Sequence, residues 1–425
     1  MQQLVDDAME NTTILPEKAE ETFEEYINKL LDDFGPDARF GVTNHFVIVY
    51  DTTDAYAKWC VALIENVAAT YELFISRQKP VWQDSFDPMV VFIFAKEEDF
   101  EEYRQKNMSE EYSDDAKKPI GFYSSAPNRS AFYDATGLEQ GRVGMEDERT
   151  LEAIATEVLA DPKGKTNIST LVHETTHQVS HNYGLLDSYG EERPLFSRRG
   201  ENPSWAVEGL AMLFETPTGE PKDGGWKVVD EKNKTLNFPV NEMRLGEFQQ
   251  FIAQNPGSQT LKKVVELEKI RTDEEGAYPF SWILFYYLFR EEPRTLQEYL
   301  IANASMQPRL TFTQRERVNE FTHYFGSDWD GMYQELRAFA DALEMELKGA
   351  DYAESLNQMR VKYGLPEKPL RGKRRSGAQA KTTTVKTPNS DKTQRATEPT
   401  DAEKTDKQNA DLDRWLQTWS KNGGQ

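Results

Sequence analysis

Asn167–Gly184, NISTLVHETTHQVSHNYG, carries His173, Glu174 and His177 in the order His-Glu-Thr-Thr-His. A helix turns about 100° per residue, so positions four apart lie above one another on one face. His173 and His177 can therefore aim two imidazoles at a single ion, with Glu174 a quarter-turn away, close enough to hold a water there. Two imidazole ligands and a carboxylate base at this spacing are the arrangement on which zinc-dependent hydrolysis is built. Asn167 or Ser169 is expected to cap the helix and Gly184 to end it. His181, four residues beyond His177, sits about 12 Å along the axis from His173, too far to share an ion. It reads as a histidine of the helix face.

A catalytic zinc takes three protein ligands and keeps one position open. Glu208 is the candidate third ligand, in Asn202–Glu215, NPSWAVEGLAMLFE. Asn202 suits the N-cap and Pro203 the first helical position. The segment is apolar nearly all round, so its helix is buried, and a lone carboxylate there needs a partner. One zinc ion per chain is such a partner; a salt bridge to Arg198 or Arg199 is the alternative. Gly209 allows a second helix to come close.

HETTHQ, the following Asn182, Gly184 and Leu185, and Pro203–Ala211 with its Ser-Trp-x-x-Glu-Gly-Leu-Ala together resemble the two-helix site of the gluzincins. These are zinc metallopeptidases of the peptidase MA-like group, and the chain is most similar to an uncharacterised HExxH domain common in planctomycete bacteria. The resemblance runs from about Phe46 to about Leu343. It implies an α+β, zincin-like fold: a small mixed sheet and metal helix, then a mostly helical half. It implies a peptide or protein substrate, with Glu174 as base for a metal-activated water. Two positions depart from the pattern. Met212 stands where many relatives carry an acidic residue four positions after the Glu ligand, and His181 stands where an apolar or aromatic residue is expected.

The order of elements agrees with this plan. Residues 1–36 read as an acidic lead-in with a helix over Thr22–Phe34. His45–Tyr50 reads as a strand opened by a structural histidine, Asp51–Arg77 as a long helix, and Met89–Ala95 as a buried strand. Another helix follows at Glu97–Lys106. Ile120–Ser124 and Ser130–Tyr133 read as a hairpin. In the zincin plan the last strand forms the sheet edge above the metal, where a peptide adds by main-chain hydrogen bonds. Ser130, Ala131 and Phe132 are the expected substrate-binding residues. Residues 137–165 read as an insertion with a helix at Leu151–Leu159, either a lid or a decoration, and Thr216–Asn237 as a surface excursion. From Leu245 the periodicity is helical. Tyr278, opening the helix AYPFSWIL and followed by Trp282, matches the family's Tyr-then-Trp helix and is the expected oxyanion donor; His323 is the next choice. The zincin-like domain is expected to span residues 37–350, as a sheet half (37–184) and a helical half (185–350).

Composition narrows the partners. The 425 residues carry a net charge of −23, which excludes the basic face that nucleic-acid binding requires and disfavours an anionic membrane surface. No apolar run is long enough to span a membrane. The single Cys60, among Trp59, Val61 and Leu63, reads as a small buried hydrophobe. The N-terminus does not read as a signal peptide, so the chain is cytoplasmic by sequence, or exported if a leader precedes it. Residues 366–425 read as a disordered tail. In it Leu412, Trp415, Leu416 and Trp419 form one face of a short amphipathic helix, suited to a partner's groove. The rival to a peptidase is a zincin-fold binding or scaffold protein that keeps the metal without catalysis.

Overall fold

Phe46–Tyr50 and Met89–Phe94 are unbroken apolar runs, buried along their whole length. Strands of that kind pair in parallel with both faces covered, and they form the middle of the sheet. The computed structural model describes residues 23–78, 89–107, 119–125, 127–183, 203–230, 235–267, 270, 276–305 and 313–368. The Trp415/Trp419 segment, Arg198, Arg199, Asn202 and Gly184 lie outside them.

In chain order the first half comprises α1 (Phe23–Phe34), β1 (Arg39–Val42), β2 (Phe46–Tyr50), α2 (Asp54–Gln78), β3 (Met89–Phe94) and α3 (Glu97–Asn107). It continues through β4 (Gly121–Ser124), β5 (Arg129–Tyr133), α4 (Leu151–Ala160) and α5 (Gly164–Tyr183). The second half holds α6 (Ser204–Phe214), a two-stranded ribbon of β6 (Val229–Asp230) and β7 (Thr235–Leu236), α7 (Glu242–Gln254) and α8 (Gln259–Glu266). It ends with α9 (Ala277–Glu291), α10 (Pro293–Ser305), α11 (Gln314–Phe325), α12 (Trp329–Leu347) and α13 (Tyr352–Lys362). The class is α+β with a mostly helical C-terminal half. Among the described residues no helix is long and apolar enough to cross a membrane.

The sheet order is β1-β2-β3-β5-β4, parallel at β2-β3-β5 and antiparallel at both ends. One face packs Val47, Val49, Val90, Phe92, Phe94 and Ala131 against Ile27 and Leu30 of α1 and Phe100 and Tyr103 of α3. The opposite face meets α2 and α5. Gln178 of α5 is fully buried and fastens it to the sheet. Its amide donates to the carbonyls of Val90 and Asn128 (3.0 and 2.9 Å) and accepts from Ser130 Oγ (2.9 Å).

This topology corrects the expected edge. Ser130, Ala131 and Phe132 are in β5, which is interior, and all three are buried. Among the described residues the outermost strand on that side is β4. The hairpin turns back so that β5, small or apolar on both faces, fills the slot beside β3, while β4 is left outermost with its half-exposed Tyr123 and Ser124. Four further readings shift. β1 was not foreseen, since four residues, RFGV, carry too little pattern. α1 is part of the core, with Phe34 stacked on Phe94 at 4.3 Å, so the domain begins before residue 37. At the other end α13 packs on α12, so it also runs past residue 350. The expected excursion at 216–237 is anchored by Trp226, which is fully buried and donates its indole N–H to the Phe214 carbonyl (2.6 Å).

The insertion at 137–165 is tied down. Arg149 pairs with Glu139, Asp147 and Glu157 (2.7, 2.5 and 2.6 Å), and Glu139 accepts the Thr53 N–H at the start of α2 (2.7 Å). Cys60 is free and buried, and burial pushes its thiol up, away from reactivity.

His45 clasps the sheet to two helices. Its Nδ1 meets Glu65 at 2.6 Å and its Nε2 meets Glu72 at 3.5 Å, and Glu72 also accepts from the hydroxyl of Tyr183, at the end of α5 (2.5 Å). Burial alone would lower the imidazole pKa, but Glu65 and Glu72 raise it to about 10. A raised folded-state pKa contributes stability that is complete below the unfolded value of about 6.5 and fades as pH climbs through 10. Denaturant unfolding between pH 6 and 10.5 should therefore show the wild type's advantage over His45→Gln shrinking as pH rises. An advantage constant across that range would contradict the clasp.

Candidate metal centre

Helix α5 begins where the chain allows close approach. At Gly164 a Cβ would lie 1.7 Å from the Val158 carbonyl oxygen, so only glycine lets α5 start against the end of α4. The helix therefore starts three residues before Asn167. Asn167 is not its cap; its amide instead holds the Ala135 N–H (3.1 Å) and the Tyr56 hydroxyl (2.9 Å). Along α5 the rings of His173 and His177 meet edge to face, with centroids 4.7 Å apart.

α6 brings the third group. Pro203 precedes its first turn, and Ser204 Oγ donates to the Leu267 carbonyl (2.8 Å). At Gly209 a Cβ would lie 2.7 Å from both the Ser281 carbonyl oxygen and the Phe285 Cβ, so the expected close approach is to α9. Trp205 packs on Tyr299 and Phe321, with centroids 5.6 and 5.7 Å away. This packing fixes the rotation of α6 and turns Glu208 toward α5.

Among the described residues, ligand atoms of His173, His177 and Glu208 all lie within 4.8 Å of one another, and the group could hold a metal ion. The two Nε2 atoms are 3.1 Å apart, and Glu208 Oε2 is 3.3 Å from His173 Nε2 and 3.6 Å from His177 Nε2. Bonds of about 2.0–2.1 Å from a tetrahedral zinc place its ligand atoms about 3.3–3.4 Å apart. The triangle fits an ion of that size, and two imidazoles with one carboxylate are the donor set of an open zinc site. The electrostatics agree. Burial would lower the His173 pKa, but Glu208 and Glu215 raise it to about 10. Burial would raise the Glu208 carboxyl, but His177 and His173 hold it far below the usual carboxylate range. The cluster stabilises positive charge among its members.

Glu174 lies beside this group. Burial pushes its carboxyl up, His173 and His177 pull it down, and Glu208 adds to the rise. It also accepts a hydrogen bond from the backbone N–H of Tyr123, in the edge strand β4. The Tyr133 N–H bonds the Ile120 carbonyl (3.2 Å), so alternate residues of β4 pair with β5, and Gly121 and Tyr123 turn their peptide groups away from β5. Strand β4 thus touches Glu174 directly. The ring of His181 lies 5.9 Å from that of Tyr123, under the same strand.

One residue was missed. Met212, four positions after Glu208, is buried in the core, but Glu215 lies seven positions on, two turns along the same face. His173 Nδ1 donates to Glu215 Oε2 at 2.8 Å. Glu215 is itself held by Asn241 Nδ2 (2.9 Å) and Arg244 Nε (3.0 Å) at the start of α7. Burial would raise its carboxyl, but Arg244 and His173 keep it low. A carboxylate behind a ligand histidine fixes its ring and tautomer. The i, i+7 spacing of two glutamates in an apolar helix was the legible signal. Tyr278 opens α9, half-buried, with the Arg244 guanidinium 5.6 Å from its ring centroid. His323 is exposed on α11, its ring against Tyr324.

Residues 167–310, about a third of the chain, match the family described as Protein of unknown function (DUF1570). The match covers α5, α6 and α9, and so His173, Glu174, His177, Glu208, Glu215 and Tyr278. No curated protein matches the chain.

Metal analysis of protein dialysed against zinc should give close to one ion per chain for the wild type and almost none for His173→Ala or Glu208→Ala. Full occupancy in Glu208→Ala would mean that the ion binds elsewhere.

Proposed function

We propose that the chain is a zinc-dependent peptidase of gluzincin type, with a zincin-like arrangement of sheet and metal helix. One observation carries the reading: the metal-sized triangle of His173, His177 and Glu208 sits beside a carboxylate, Glu174, that is bonded to the backbone of Tyr123 in the outermost strand β4. Zinc, held by His173, His177 and Glu208, would supply Lewis acidity to a water and to a peptide carbonyl.

The remaining work falls to the chain's own groups. Burial raises the Glu174 carboxyl toward the range in which it takes a proton from water and returns it to a leaving amine. The outward peptide group of Gly121 suits an extended peptide laid along β4, whose main chain would bond there whatever its side chains. This gives β4 the role the sequence assigned to Ser130, Ala131 and Phe132. Tyr278 is the proposed donor to the oxyanion, its ring steadied over Arg244. A metal-keeping scaffold would need Glu208 and Glu215 equally, but it has no use for an acid at Glu174 bonded to a sheet edge.

With a broad peptide library as substrate, Glu174→Gln should keep its zinc and lose turnover by several orders of magnitude. Tyr278→Phe should lower kcat by on the order of 10²–10³, with KM and zinc content little changed. Zinc-loaded wild type that cleaves nothing, or Glu174→Gln that cleaves normally, would contradict the peptidase reading. A silent Tyr278→Phe would remove only the donor assignment.

A further inference from the structure

Glu215 is buried between two sets of partners that differ in kind. On one side its Oε2 takes the Nδ1 proton of His173 at 2.8 Å. On the other its Oε1 takes Asn241 Nδ2 at 2.9 Å and Arg244 Nε at 3.0 Å. A guanidinium has no acceptor. The Asn241 amide cannot turn over without loss, because its Oδ1 caps α7 by accepting the Arg244 backbone N–H (3.2 Å). Both neighbours on the Oε1 side are therefore fixed as donors.

We propose that Asn241 and Arg244 are positioning residues that lock the hydrogen-bond polarity at Glu215. The lock keeps the His173 proton on Nδ1 and the Nε2 lone pair facing His177 and Glu208. The inference rests on the metal-centre reading. It assigns the start of α7, which supplies no ligand, the task of choosing the tautomer of a ligand.

The lock makes an inverted prediction for the mildest substitution. Glutamine has the shape of glutamate but carries one acceptor oxygen and one NH2 donor. Asn241 and Arg244 both claim the amide oxygen, so the NH2 faces His173. Nδ1 must then accept, the proton moves to Nε2, and that nitrogen cannot bind a metal. Alanine leaves a space in which water can accept from Nδ1. Replacing Asn241 by Asp keeps the cap and offers an acceptor to the amide, which can then turn its oxygen to His173.

Zinc affinity of the full chain, measured by competition with a chromophoric chelator, tests this, with the melting temperature of each metal-free variant as the folding control. Glu215→Ala should bind zinc about 10–100-fold more weakly than wild type. Glu215→Gln should bind more weakly still, and Glu215→Gln with Asn241→Asp should recover part of the loss. If the alanine variant does not fold, wild type, the glutamine variant and the double variant still decide the matter. A glutamine variant that binds zinc as tightly as wild type, or more tightly than the alanine variant, overturns the lock and leaves the metal centre standing. A wild type that binds no zinc overturns the metal centre, and the lock with it.

Discussion

Two imidazole nitrogens and a carboxylate oxygen lie within 3.1 to 3.6 Å of one another, almost out of water. Lone pairs at that range repel unless positive charge sits among them. The raised His173 and the depressed Glu208 express the same demand from the side of the proton. A divalent cation meets it with one particle at the spacing found. Much of the surrounding structure serves to hold those three atoms where they would not otherwise stay. Gln178 fastens α5 to the sheet, Gly209 lets α6 sit on α9, and the Trp205 cluster stops α6 from rolling.

The brace behind the ligands joins the two halves of the chain. His173 comes from the sheet half, Glu215 from α6, and Asn241 and Arg244 from the start of α7. A second connection lies within the sheet half, from β4 to Glu174. His173 is thus braced from the helical half and Glu174 from the sheet.

The helix His173–His177 and the partner Glu208 were legible because each rests on local rules: a four-residue period, and a carboxylate stranded in an apolar helix. The α+β class and most elements followed from runs and periods of ordinary length. What was not legible depended on pairing at a distance. Whether Gly121–Ser124 or Arg129–Tyr133 lies outermost is decided by which strand fills the slot beside β3, and hairpin residues look alike in either order. β1 is too short to show a period. Glu215 was not legible from position 212, four residues after Glu208, because a helix presents the i+7 residue to the same neighbour as well. Trp226 is a similar case: a buried tryptophan in a Gly- and Lys-rich stretch anchors what composition alone reads as surface.

The central claim is that His173, His177 and Glu208 form one zinc site. Anomalous X-ray scattering measured on both sides of the zinc absorption edge, from crystals of zinc-loaded protein, tests it most directly. The account predicts one strong peak per chain, about 2.1 Å from both Nε2 atoms and from a Glu208 oxygen, with Glu215 still on His173 Nδ1. A zinc peak held by other residues, or zinc-loaded crystals with no peak between α5 and α6, would contradict it.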